Sequence, residues 1–162
     1  MEDSPTIKAY PNGERIVIST YDHALYLSTR LRPYDILECH ANNLTPLEAL
    51  MMGIDLGNET YTVLNSSNLP VAMFGTGRSN GGVGDPYIWL LGSDGMKNVS
   101  LRFLRECKGI IQWLVEPYGK AYNYVFAGYK TTIKWLLWCG ASFIEEVEIR
   151  GVRFFKFVIT SI

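Results

Sequence analysis

The spacing of apolar and polar positions changes several times along the chain, and each change marks an element. Val99, Phe103, Cys107, Ile110 and Leu114 recur at steps of three and four. That period predicts the longest helix, stopped by Pro117 and Gly119. In TPLEAL, Thr45 is an N-cap, Pro46 takes the first helical position and Glu48 follows three residues after the cap. This is a capping box, and it predicts a helix running to Gly53 or Gly57. Ala24, Leu25, Leu27 and Leu31 make a third helical stripe, with Asp22 as its cap and Pro33 as its end or kink. KTTIKWLLWCG is helical, with Gly140 just past its end. YDILECHANN fits helix or strand.

The strand signals lie between these. TIKAY opens the chain as a strand, and PNG turns it. TYTVLN and LPVAMFG flank a polar SSN and predict a hairpin. YIWLLG is a short unbroken apolar run, as expected of a strand covered on both faces. AYNYVFA alternates. SFIEEVEI and VRFFKFVIT form a hairpin around Arg150 and Gly151. Helices alternating with strands predict an α/β (α+β) fold: one mixed sheet flanked by helices, in a single domain over 1–162.

Hydrophobic residues make up 48% of the chain, enough to bury a core, and this excludes a disordered segment. Lys and Arg are scattered and the net charge is −1, so no basic face points to nucleic acid. No apolar run approaches the ~20 residues of a membrane span. The polar N-terminus does not resemble a signal peptide. Cys39, Cys107 and Cys139 lie among apolar residues at no metal-ligand spacing, and are expected as buried reduced thiols. A soluble intracellular protein with no metal is therefore expected.

GTGRSNGGVGD (75–85) holds five glycines and raises the question of a phosphate loop. Counted from Gly77, a P-loop would need Lys at Val83 and Ser or Thr at Gly84. Counted from Gly75, a dinucleotide loop would need glycine at Asn80. Both patterns fail at residues that carry their mechanism, so the stretch is expected as a loop joining two strands, with Arg78 and Asn80 in solvent.

Asp35 and Glu38 are three apart and share a face if their segment is helical. Paired carboxyls can do acid–base work when their pKa values are pushed apart, and His40 lies nearby. A solvated polar edge, or a salt bridge to Arg30 or Arg32, is the plainer expectation. His23 is expected to be exposed at a helix start. Trp113, Trp135 and Trp138, with Tyr122, Tyr124 and Phe126, are expected mostly as packing. If Trp135 and Trp138 both faced outward, they would form an apolar patch for a protein partner.

RPYDILE, PLEAL, PVAMFG, WLLGSD, RFLRE, YNYV and IKWLLWCGA, in this order and spacing between Arg32 and Ala141, resemble the GNAT acyltransferase fold. More closely they resemble the small internal virion protein family of short-tailed phages and the GNAT-like phage proteins beside it. The resemblance implies a role in virion morphogenesis through contacts with virion core or scaffold proteins, or with a host protein. It places the chain in the host cytoplasm and the phage virion, with no cofactor, nucleic acid or membrane required. Its alternative is an N-acetyltransferase using acetyl-CoA on a host or phage target. In active members an Arg/Gln-x-x-Gly-x-Gly loop after the central strand holds the pyrophosphate of acetyl-CoA. Here Leu91, Gly92, Ser93 and Gly95 occupy that region without the spacing, and Asp94 adds a negative charge. A general-acid tyrosine four residues before the helix-ending glycine would fall on Leu136. The catalytic candidates are then Asp35, Glu38 and Tyr129, and the sequence alone does not decide whether the chain is an enzyme.

Overall fold

The computed structural model describes residues 4–56 and 59–162. The chain begins with strands β1 (Thr6–Ala9) and β2 (Arg15–Ile18), then helices α1 (Tyr21–Ser28), α2 (Pro33–Ala41) and α3 (Pro46–Leu56). Strands β3 (Thr60–Leu64) and β4 (Pro70–Arg78) follow, then a one-turn helix α4 (Ser79–Gly82) and β5 (Pro86–Gly92). The rest is α5 (Leu101–Val115), β6 (Lys120–Phe126), α6 (Lys130–Trp138), β7 (Ser142–Ile149) and β8 (Val152–Thr160).

The strands form one eight-stranded mixed sheet in the order β1-β2-β3-β4-β5-β6-β8-β7. Every neighbour pair is antiparallel except β5 and β6. Those two run parallel and meet at a single pair, Tyr87 with Tyr122, before they diverge. The α/β expectation therefore holds, with the sheet split in its middle.

Helices cover both faces, and strand parity decides which residue goes where. On one face, Phe103, Cys107, Ile111 and Leu114 of α5 and Leu136 of α6 pack with Val63, Phe74, Ile88, Val125 and Phe157. On the other, Ala24 and Leu27 of α1, Cys39 of α2 and Leu50 of α3 pack with Met73 and Leu91. All three cysteines are buried and free, as expected, and burial pushes each thiol up to about 12. They are packing groups, not nucleophiles.

The capping box at Thr45 forms in both directions, with Glu48 N–H donating to Thr45 Oγ1 at 3.1 Å and Thr45 N–H donating to Glu48 Oε1 at 3.0 Å. Arg150 and Gly151 both take positive φ, the geometry a tight β7–β8 hairpin needs. Four expectations are corrected. The cap of α1 is Thr20, not Asp22: it accepts from His23 N–H, while His23 Nδ1 accepts from Thr20 N–H. His23 is consequently 1% exposed rather than solvated. Pro33 does not end that helix but opens α2, where its missing N–H costs nothing. The long helix starts at Leu101, two residues after Val99, because Ser100 caps it.

The glycine stretch divides. Gly75 and Gly77 belong to β4, and only Ser79–Asp85 form the connection to β5. The two strand glycines have a packing cause: a methyl group at Gly77 would overlap the Tyr87 ring, and one at Gly75 would stand 3.3 Å from Trp89 Nε1. Gly53 of α3 lies against the same indole from the helix side. Gly53→Ala therefore forces Trp89 out of its slot. Urea unfolding of this variant should show a loss of about 1–3 kcal/mol, the usual cost of overpacking; an unchanged midpoint would mean that the indole moves freely.

Candidate active site

Where β5 and β6 part, each strand loses its ladder partner and its backbone groups need others. Asn123 substitutes first. Its Nδ2 donates to Ile88 carbonyl at 2.5 Å, and its Oδ1 accepts from Tyr124 N–H at 2.7 Å. At the far end α2 supplies the partners. Asp35 Oδ2 accepts from Gly92 N–H at 2.9 Å and from Arg32 Nε at 2.8 Å. Arg32 N–H donates to Gly92 carbonyl at 2.9 Å. Glu38 Oε1 accepts from Phe126 N–H at 3.3 Å. Asp35 and Glu38 do share one helix face, but that face is inserted between the strand ends rather than lying on a solvated edge. The expected salt bridge is to Arg32.

Between these closures the gap stays open. Ile88 and Gly92 turn their backbone groups toward β6, so Leu90, two residues from each, turns its N–H and C=O into the gap. A cavity of about 970 Å³ runs through the split from one face of the sheet to the other. Its wall on the α5–α6 side is apolar, with Phe103, Cys107, Ile110 and Leu136. On the other side it carries Asp35, Glu38 and Asn42 with Met52, Trp89 and Tyr124. Trp89 and Trp135 line it as well, each with a buried indole N–H that has no acceptor among the described residues.

Burial and then the nearby Asp35 charge push the Glu38 carboxyl up to about 8, with Phe126 N–H and Arg32 opposing. Burial also raises Asp35, against Arg32 and Gly92 N–H. The pair therefore presents one carboxyl tied to arginine and one poised near neutrality. Tyr129, 7% exposed at the start of α6, lines the same cavity beside Leu136. Its ring centre lies 5.3 Å from the Arg32 guanidinium, and burial raises its hydroxyl. The three catalytic candidates from the sequence thus line one cavity. His40 is exposed and outside the lining. Among the described residues no cluster of His, Cys, Asp or Glu is placed for a metal ion, and no helix is long and apolar enough to cross a membrane.

The loop after β5 is occupied by the chain itself. Leu91 and Gly92 end the strand, Ser93 caps a 3-10 turn over Asp94–Asn98, and Gly95 N–H donates to Ser93 Oγ. Ser93 and Met96 N–H donate to the Val71 and Ser93 carbonyls. At the start of α5, Phe103 N–H donates to Ser100 Oγ, while Ser100 N–H and Oγ donate to the two oxygens of Glu14 at 2.9 and 2.6 Å. Glu14 is 2% exposed, so the anion at this helix N-terminus is the chain's own. Asp94 points to solvent, 3.8 Å from Lys97. Sequence reading missed Glu14 and Asn123, because each gains its role from a partner far along the chain.

The fold is that of solved N-acetyltransferases. A ribosomal-protein-S5-alanine acetyltransferase from Vibrio fischeri matches with a TM-score of 0.63 at 9% identity, over 96% of both chains. A GNAT-family acetyltransferase from Bacillus anthracis matches with a TM-score of 0.64 at 8% identity, over 96% of this chain and 98% of that one. A structure of AAC(6')-Ib in complex with ribostamycin and coenzyme A matches with a TM-score of 0.64 at 11% identity, over 91% and 93%. No protein-family model and no curated protein matches the chain. These likenesses carry the GNAT part of the resemblance drawn from the sequence and nothing of its phage virion part; at such identities they establish that the chain has the GNAT fold.

Burial opposes ionisation of Glu14, but the hydrogen bonds from Ser100 and Asn12 prevail and hold its carboxyl below the ordinary 4.5. Its stabilisation is thus full above 4.5 and fades as pH falls through the lower folded value. Glu14→Ala should cost about 1–3 kcal/mol in urea unfolding at pH 7, leaving Ser100 N–H without its acceptor. The deficit should shrink at pH 3; an equal deficit at both pH values would assign the loss to packing instead.

Proposed function

We propose that this protein transfers an acyl group from a thioester to an amine, with the reaction centred on the cavity between β5 and β6. The observation that carries this reading is the split itself: open backbone groups at Leu90, an apolar channel, and one carboxyl poised near neutral pH inside it. An extended amide-bearing arm threaded through the gap pairs with the Leu90 N–H and C=O as an added strand would. Apolar walls keep water from the thioester.

Glu38 is the general base. A base with a pKa near the working pH combines a useful ionised fraction with a real appetite for protons. The amine nitrogen bonds to the thioester carbonyl carbon, the carbon–sulfur bond breaks, and Glu38 takes the proton the nitrogen loses. The departing sulfur takes a proton from Tyr129, which stands where Leu136 cannot serve. Arg32 holds Asp35 and keeps the charge beside Glu38 fixed.

The residues present fit the thioester arm of acetyl-CoA but not its pyrophosphate. The amides of Gly95, Ser100 and Phe103 are spent within the chain, and Glu14 and Asp94 add negative charge there. A non-catalytic role in virion morphogenesis is the competing reading. It draws on the exposed Trp138, at 48%; Trp135 does not join it, being packed against the core.

Thiol release from S-acetyl-N-acetylcysteamine tests the proposal, with an alanine-led peptide, an aminoglycoside and a polyamine as amines. The rate should rise with pH through about 8 as Glu38 ionises. Glu38→Gln should lower it by roughly 10²–10⁴-fold and remove that rise. No acylation above the buffer rate with any amine would overturn the reading. Stability moves the opposite way: the raised carboxyl costs stability as pH climbs from the ordinary 4.5 through about 8. The melting temperature should therefore fall over that window in the native chain and stay flatter in Glu38→Gln.

A further inference from the structure

In the acyl-transfer reading the cavity takes a thioester arm, and the two helices that follow its strands, α5 and α6, carry a distinct charge pattern on their outer faces. Both α5 and α6 start after the C-terminal ends of β5 and β6, where the two strands have diverged. Leu101, Arg105 and Lys108 fall at steps of four and three along the exposed face of α5. Lys130, Lys134 and Leu137 repeat those steps on the exposed face of α6. Leu101 and Leu137 are 61% and 54% exposed.

None of the four cations has an ion-pair partner among the described residues. The α6 helix contains no acidic residue. The acid of α5, Glu106, lies on another side, 3.4 Å from Lys8 of β1 and 3.7 Å from Arg102. Two helices thus present uncompensated positive charge with a leucine on each, in a chain whose net charge is −1. Such a face complements an acidic protein surface.

We propose that the acyl donor is a thioester on the phosphopantetheine arm of a small acidic carrier protein, which docks on the outer faces of α5 and α6 and feeds its arm into the split. The proposal rests on the thioester reading above and deepens it. A carrier-bound arm brings the same amide-bearing chain as a CoA thioester but ends in a single phosphate joined to protein. It therefore needs no pyrophosphate cradle at the start of α5, where Glu14 already sits. Its electrostatic attraction is supplied by side chains on the helix exteriors, and one exposed leucine at the end of each charged row adds apolar contact.

Binding to the whole chain separates the possibilities, by calorimetry with three probes: an acetyl-loaded acyl carrier protein, acetyl-CoA and S-acetyl-N-acetylcysteamine. The loaded carrier should bind at least about tenfold more tightly than acetyl-CoA, and its affinity should fall as salt is raised. The double variant Arg105→Glu/Lys134→Glu should lose about tenfold or more of the carrier's affinity while binding the small thioester as the native chain does. Retained small-thioester binding reports that the variant is folded. Acetyl-CoA binding as tightly as the carrier, or a carrier affinity indifferent to the charge reversal, would overturn the carrier proposal and leave the acyl-transfer reading standing. Failure of all three probes to bind would sink both.

Discussion

The structure turns on one unsatisfied requirement: two parallel strands that meet at one residue pair and then separate leave rows of backbone N–H and C=O groups without a ladder. An unpaired buried amide costs about 1–3 kcal/mol, so a split sheet survives only if something else fills those sites. Here three side chains do so. Asn123 closes the vertex, and Asp35 and Glu38 close the far ends from α2. The position of α2, the pairing of buried Asp35 with half-buried Arg32 and the near-neutral carboxyl of Glu38 all follow from that need. The part left uncapped, at Leu90, is where the cavity lies.

The start of α5 is in the opposite condition. A helix N-terminus attracts anions through its free N–H groups and its dipole. In this chain Ser100 Oγ takes the Phe103 N–H, and the Glu14 carboxylate from the β1–β2 turn takes the Ser100 N–H and places its own negative charge there. A dianionic group arriving there would meet a buried negative charge whose two oxygens are already committed. The two ends of the cleft therefore differ, with unpaired backbone at Leu90 and a buried carboxylate at the start of α5, on the fold that AAC(6')-Ib has in its complex with ribostamycin and coenzyme A.

Much of this fold was legible in the sequence because the signals were local. The 3.6 period of α5, the capping box at Thr45 and the Arg150–Gly151 turn each lie within a few residues of the structure they specify. The cap of α1 was also local, since Thr20 and His23 stand three apart, but histidine is an unusual third residue for a capping box and the nearby Asp22 was the more obvious choice. The site was legible only in part. Asp35 and Glu38 could be placed on one face by their spacing, yet their role depends on Gly92 and Phe126, 57 and 88 residues away. Glu14 looked like a surface acid in a polar turn, and only its contact with Ser100, 86 residues on, buries it.

The separation between what was local and what was not bears on function. The motif that failed in the sequence, the glycine loop after the central strand, tests only one end of the ligand. Its failure bears on how a pyrophosphate would be gripped there and says nothing of a thioester between the strands, which would need no glycines and would be recognised by strand edges and an apolar wall. Leu136 in place of a general-acid tyrosine has the same limit. A proton donor need only reach the leaving sulfur, and Tyr129, one helical cap away and lining the same cavity, presents a hydroxyl from a different position in the chain. Loss of a motif and loss of a chemistry are separable wherever the groups that do the work are supplied by long-range contacts, as they are on both sides of this split.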